Sequence, residues 1–224
     1  LSRHGNGKIP KGNTGMIGNR MVKCLFYGSK LMSCWWWSAW CRTAGLLWGA
    51  KIGRGCRFFG HARFHHLSGA IMEIGANCTF NSSACSNLLG VMHPCILATL
   101  SPKAELRIGD GCGFSGASIG AEKSIWIGRQ VRVGANTTIT DTNWHSDDPR
   151  VSPPRPVVIE DGVWLGMRVL VLPGARIGKN SVIGAGSIVT GEIPANCIAA
   201  GAPARVLRRL PEEKNNSQKP LEQK

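Results

Sequence analysis

Six histidines, nine cysteines and thirteen carboxylates are the side chains of this 224-residue chain that could move a proton, hold a metal or attack an electrophile. The densest set lies in residues 140–157, TDTNWHSDDPRVSPPRPV, where His145 stands among Asp141, Asp147 and Asp148. An imidazole with its ordinary pKa of about 6.5 takes a proton from a nucleophile near neutral pH and returns it to a leaving group. Its second ring nitrogen must be held in one tautomer, and Asp141, Asp147, Asp148 or a backbone carbonyl could hold it. His93, in GVMHPCILAT, and the His61, His65 and His66 group are the other histidines to weigh. The cysteines form no C-x-x-C pair and keep no regular spacing, which points to reduced thiols rather than a disulfide framework or a zinc ribbon.

The elements that must position these residues follow a six-residue period. Aliphatic side chains fall at Ile159, Leu165, Val171, Ile177, Ile183 and Val189 without a slip, and the pattern returns at Ile52 and Phe58, Ile74 and Phe80, Ile108 and Phe114, and Ile127 and Val133. A period of six does not fit an amphipathic helix at 3.6, and its turns recur too soon for ordinary alternating strands. It fits short flat strands joined by tight bends, with an aliphatic residue pointing inward from each face and Gly or Asn supplying positive φ at the corners. Stacked rungs of this kind make a solenoid whose stability is roughly a sum over neighbours. The rhythm stops for the His145 segment and breaks outward at His93, so both lie in excursions from a rigid scaffold, where function often sits.

Charge is uneven along the chain. The net charge is +14, yet eleven basic residues precede the first acid, Glu73, and the remainder is nearly balanced. Residues 1–20 are basic, rich in Gly and Asn and without periodicity, so they are expected to be flexible. Residues 21–49 hold five of the eight tryptophans. They suit an apolar cap on the open end of the solenoid, and the alternative is an interfacial anchor in which Lys23, Lys30 and Arg42 meet anionic lipid. The apolar run Leu31 to Cys41 is too short to span a bilayer, which takes about 20 residues. No nucleic-acid-binding motif is present.

The Ile-Gly-x-x-Val/Ser repeats, followed by VIGAGSIVTGEIPANCIAAGAPARVLRRL from Val182 to Leu210, resemble the hexapeptide-repeat acyltransferases, in particular the maltose, galactoside, nodulation and cell-surface polysaccharide O-acetyltransferases, over about residues 50 to 210. The resemblance implies an all-β solenoid, a left-handed parallel β-helix of about seven coils over residues 50–202, with a protruding loop at 141–157. A short C-terminal helix is expected to begin at Pro203 and to pass into a polar tail ending at residue 224. The implied activity is acetyl transfer from acetyl-CoA to a saccharide hydroxyl, on a polysaccharide or glycolipid unit, with His145 as general base and no metal.

By the same resemblance a backbone N–H near Gly166 and Met167 would meet the developing oxyanion, Ala185 and Thr190 would contact the pantetheine arm, and Arg205 and Arg208 would meet the CoA phosphates. Asp141, Asn143, Trp144 and His93 are the candidates for the acceptor side. Met167 replaces a Ser of some relatives, and Gly191 stands where many have Lys. The family's trimers, with active sites between subunits, imply a homotrimer here; the reduced thiols point to the cytoplasm, with peripheral contact at the inner membrane face if residues 21–49 are an anchor. The rival readings are an acetyltransferase for a small acceptor such as an antibiotic, a zinc γ-class carbonic anhydrase using His61, His65 and His66, and a non-enzymatic basic scaffold.

Overall fold

The structure, a computed structural model, describes residues 32–145 and 148–211. The basic segment 1–20, the start of the Trp-rich segment, Asp147 and the tail after residue 211 lie outside the described residues.

Each six-residue unit becomes one short strand and one bend, and three units make a coil with three faces. Face 1 runs through seven parallel strands from Lys51–Ile52 to Glu192–Ile193. Face 2 runs from Arg57–Phe59 to Cys197–Gly201, and face 3 through six strands from Arg63–His65 to Ile188–Val189. The seven coils expected from the repeat are therefore present, the last without a face 3 strand.

Register puts like above like. On face 1 the inward residues are Ile52, Ile74, Ile108, Ile127, Ile159, Ile177 and Ile193, one per coil. On face 2 the column begins with Phe58, Phe80 and Phe114, whose rings lie almost parallel with centroids 4.8 and 5.1 Å apart, and continues through Val133, Leu165 and Ile183. These columns are the hydrophobic core, and nearly all of their side chains are buried. Offset ring stacks add about 0.5 to 1.5 kcal/mol per pair to the burial itself.

The bend between faces 1 and 2 explains the alternation of Gly with Asn or Gln in the sequence. Each coil holds one residue there at positive φ: Gly55, Asn77, Gly111, Gln130, Gly162, Asn180 and Asn196. A Cβ on Gly55 would lie 2.2 Å from the Asn77 side chain, and one on Gly162 would lie 2.4 Å from that of Asn180. The amide side chain of one coil thus occupies the space left by the glycine of the coil above, so a non-glycine residue at Gly55 or Gly162 meets both an unfavourable φ and a clash.

Residues 32–47 form a helix over the first coil. Cys34, Cys41 and Gly45 lie on its buried side; the Ser38 hydroxyl accepts the Phe58 N–H at 3.0 Å, and the Cys41 Sγ–H donates to the Gly60 carbonyl. Burial pushes the Cys41 thiol up to about 11. Trp37 is partly buried against the core, with its ring 5.9 Å from that of His61. No helix among the described residues is long and apolar enough to cross a membrane.

The expected C-terminal helix is absent. Ala204–Arg209 is instead a strand, antiparallel to Cys197–Gly201 and reached through a turn at Ala202-Pro203. The unpaired lower edge of face 2 offers a row of backbone groups that a helix would leave unmet, and folding the chain back satisfies them.

Candidate active site

Two edges of the prism collect the candidate residues. The edge between faces 3 and 1 carries the 141–156 excursion, which leaves after the strand Thr138–Thr140 and returns at Val157–Ile159. Asp141 closes its neck. The Asp141 carboxylate is fully buried and accepts three backbone N–H groups, from Glu122 at 2.7 Å, Lys123 at 2.8 Å and Ser124 at 2.6 Å, while its carbonyl accepts the Arg155 N–H at 2.9 Å. Asp141 is therefore an anchor of the loop, and both of its roles considered from sequence, touching the acceptor or orienting His145, are corrected: its oxygens are already taken. Thr142 is buried too and donates its hydroxyl to the Glu122 carboxylate.

Beyond the neck, Asn143 reaches the Ser152 carbonyl across the loop at 3.4 Å. Trp144 takes φ +67°, an uncommon conformation for a bulky residue, and its indole lies on face 3 over Gly120, where a Cβ would come within 3.1 Å of the ring. His145 is exposed, and its ring makes no hydrogen bond to another described residue. Its carbonyl accepts the Asp148 N–H at 3.1 Å. The Asp148 carboxylate is committed to Arg150, through Nε and Nη2 at 2.6 to 3.2 Å and through the Arg150 N–H, and this pairing holds it below the usual carboxylate range. Asp148 thus shapes the loop on which His145 is presented. Thr190 lies at this same edge, two coils further down.

The edge between faces 2 and 3 carries the others. The loop after Thr79–Asn81 brings Met92 to Asn136, whose Oδ1 accepts the Met92 N–H and whose Nδ2 donates to the Gly90 carbonyl, each at 2.9 Å. His93 sits in this loop with Nδ1 3.0 Å from the Pro94 carbonyl. Below it come Gly166 and Met167. The Gly166 N–H is spent on the Ile183 carbonyl at 2.8 Å, whereas the Met167 N–H has no acceptor among the described residues. Of the two candidate oxyanion donors, only Met167 is free. Exposed Ala185 lies directly beneath, since a Cβ on Gly166 would touch its backbone at 2.6 Å.

Next down is the hairpin. Arg205 pairs with Ala200 and Arg208 with Ile198, both outward positions, because a bulge opposite Ile198 and Ala199 shifts the alternation. Cross-strand partners share a face, so the two arginines project from one side although three residues separate them. That is the placement a helical turn would also have given. Both are exposed, and neither pairs with a carboxylate among the described residues.

The structure therefore aligns Met167, Ala185 and Arg205 along one edge at successive levels, and places His145 and Thr190 at the other edge of face 3. Met167 to Arg205 covers three strand spacings, about 14 Å, suited to a long ligand with an anionic end. His61 and His65 lie against Trp37 and Trp48, and the His66 ring meets the Ala70 carbonyl. Among the described residues no group of three or more His, Cys, Asp or Glu side chains could hold a metal ion. Sequence reasoning missed Glu122, Gly120 and Asn136, which hold the two excursions in place; none has a local signature, since each partner is at least 20 residues away.

Residues 156–191 match the family model "Bacterial transferase hexapeptide (six repeats)" and residues 105–141 match "Hexapeptide repeat of succinyl-transferase". The chain is 48% identical over 94 residues to the galactoside O-acetyltransferase of Lactococcus lactis, a match covering 40% of this chain and 45% of that one. It is 40% identical over 108 residues to the putative lipopolysaccharide biosynthesis O-acetyl transferase WbbJ of Escherichia coli, covering 42% and 55%. The chain thus spans about half the length of the curated relatives it matches. Among solved structures, the N-acyltransferase AntD from Bacillus cereus, crystallised as a mutant with a dTDP-sugar and coenzyme A, superposes with a TM-score of 0.55 at 16% identity, over 72% of this chain and 83% of that one, which is a likeness of fold. Repeat, register and relatives together make residues 105–141 and 156–191 similar to the hexapeptide repeats of bacterial transferases, on the three-faced parallel β-solenoid that the resemblance implied.

Proposed function

We propose that the protein is an acetyl-CoA-dependent O-acetyltransferase acting on a saccharide hydroxyl. The observation that carries this reading is the edge bearing Met167, Ala185 and Arg205, a free backbone donor and an unpaired cation about 14 Å apart, set opposite an exposed histidine on an anchored loop. His145 removes the proton from the acceptor hydroxyl as its oxygen attacks the thioester carbonyl. The Met167 N–H meets the oxyanion, and the proton passes to the departing thiolate, so no covalent enzyme intermediate is needed.

His145 and Met167 lie on opposite edges of face 3, so the site is completed in a trimer, where the His145 edge of one copy meets the Met167 edge of the next. Asn143, Trp144 and His93 face the acceptor in this arrangement. The relatives named for galactoside and lipopolysaccharide O-acetylation favour a sugar over an antibiotic acceptor. The eight free cysteines among the described residues suit the reducing cytoplasm.

The test is incubation with acetyl-CoA and a panel of bacterial glycans, with the glycans weighed by mass spectrometry. A gain of one acetyl unit is the expected result; hydrolysis of acetyl-CoA without glycan modification would reject the acceptor class. A second measurement addresses the cations. Arg205→Ala and Arg208→Ala are expected to weaken CoA about tenfold or more in calorimetric titration, and dephospho-CoA less, because charge-assisted hydrogen bonds are worth ~1.5 to 3 kcal/mol. Equal weakening of both ligands would show that neither arginine reads the terminal phosphate.

A further inference from the structure

The outward side of the 32–47 helix is apolar, and the one charged residue of the helix, Arg42, is half-buried. Its buried stripe of Cys34, Cys41 and Gly45 is used against the first coil, and the opposite side presents Met32, Trp35, Trp36, Trp40, Leu46 and Leu47 to solvent. The three tryptophans are 76%, 62% and 54% exposed, and Trp48 just beyond the helix is 50% exposed. A helix apolar on both sides is ordinarily covered on both sides. An apolar surface of this extent on the end of a solenoid marks a contact.

The charges around it say with what. Arg54, Arg57 and Arg63 form a collar on the first coil, one at the bend between faces 1 and 2, one on face 2 and one on face 3, all exposed. None pairs with a carboxylate among the described residues. Lys51 on face 1 of the same coil pairs with Glu73, and lower down Arg107 pairs with Glu73 and Glu105, Arg129 with Asp161, and Arg176 with Glu160, so carboxylates are within reach only from the second coil on. In the sequence no acid occurs before Glu73, while eleven basic residues do. An apolar tip with interfacial aromatic residues, ringed by cations left unpaired, complements an anionic surface with an apolar interior.

We propose that this end of the solenoid docks on an anionic phospholipid membrane, with the tryptophans at headgroup depth and the collar against the lipid charges. The protein lies on the bilayer by this tip. The proposal stands independently of the transfer reaction.

The test is sedimentation of the full chain with vesicles of phosphatidylcholine alone, or with a third of phosphatidylglycerol, at low and high salt. Binding is expected only to the anionic vesicles and is expected to weaken as salt rises. Trp36→Ala with Trp40→Ala should weaken it about tenfold or more, and so should Arg54→Gln with Arg63→Gln, since each basic residue near the surface contributes about fivefold. All four side chains are exposed, so the thermal midpoint should hold, and the arginine pair tests the proposal on its own if the tryptophan pair fails to fold. Full-chain protein that stays in the supernatant with anionic vesicles would overturn the proposal. So would binding unchanged by either pair, or light scattering in which the tryptophan pair halves the particle mass, which would make the tip a contact between copies of this chain.

Discussion

His145→Ala is expected to lower turnover by roughly 10² to 10⁴ while leaving the fold and the affinity for CoA nearly unchanged. The factor is the usual worth of a positioned general base. The separation of effects follows from the geometry: the ring is exposed and makes no hydrogen bond to the described residues, while the loop that carries it is held by Asp141, Thr142 and the Asp148–Arg150 pair. Steady-state kinetics and a thermal melt on the same preparation check both halves. An unchanged rate would remove His145 from the reaction, and a fall of many degrees in the melt would make it a structural residue.

Phe80→Ala is expected to cost ~3 to 5 kcal/mol of stability. Phe80 is fully buried and lies between Phe58 and Phe114, so its removal opens a gap in the column and takes away both ring stacks. Neighbouring coils cannot close the gap, because their backbone hydrogen bonds fix the spacing of strands. Since each coil is supported only by its neighbours, the loss should be felt most in the upper coils. Denaturant melts with hydrogen exchange resolved by segment measure it; a cost below about 1 kcal/mol would mean that the column is not a continuous core.

The inward ladders were legible because a strict period leaves no freedom: once Ile159, Leu165 and Val171 are read as three faces of one turn, every other coil follows. Features that depend on pairing across coils were not. Pro203 before Ala204–Arg209 reads as the first residue of a helix, and only the unpaired edge of Cys197–Gly201 makes the segment a strand. The bulge that returns Arg205 and Arg208 to one face has no mark in the sequence. An aspartate beside a histidine in a polar loop reads as a partner for the ring, yet Asp141 turns inward, where its carboxylate meets three backbone N–H groups at the end of the preceding coil. The separation of His145 from Met167 by the width of face 3 likewise appears only when the strands are placed.

A stack of coils at fixed spacing is also a ruler. The helix lies over the first coil and the His145 loop leaves the fourth, so three strand spacings of about 4.8 Å and one helix diameter of about 10 Å set His145 roughly 25 Å from whatever the tip rests on. With the tip on a bilayer, a sugar attached directly to a lipid headgroup would pass beneath the site. The hydroxyl that reaches His145 would belong to a unit several sugars out along a lipid-linked chain, so the length of the solenoid itself would select which sugar along the chain is modified.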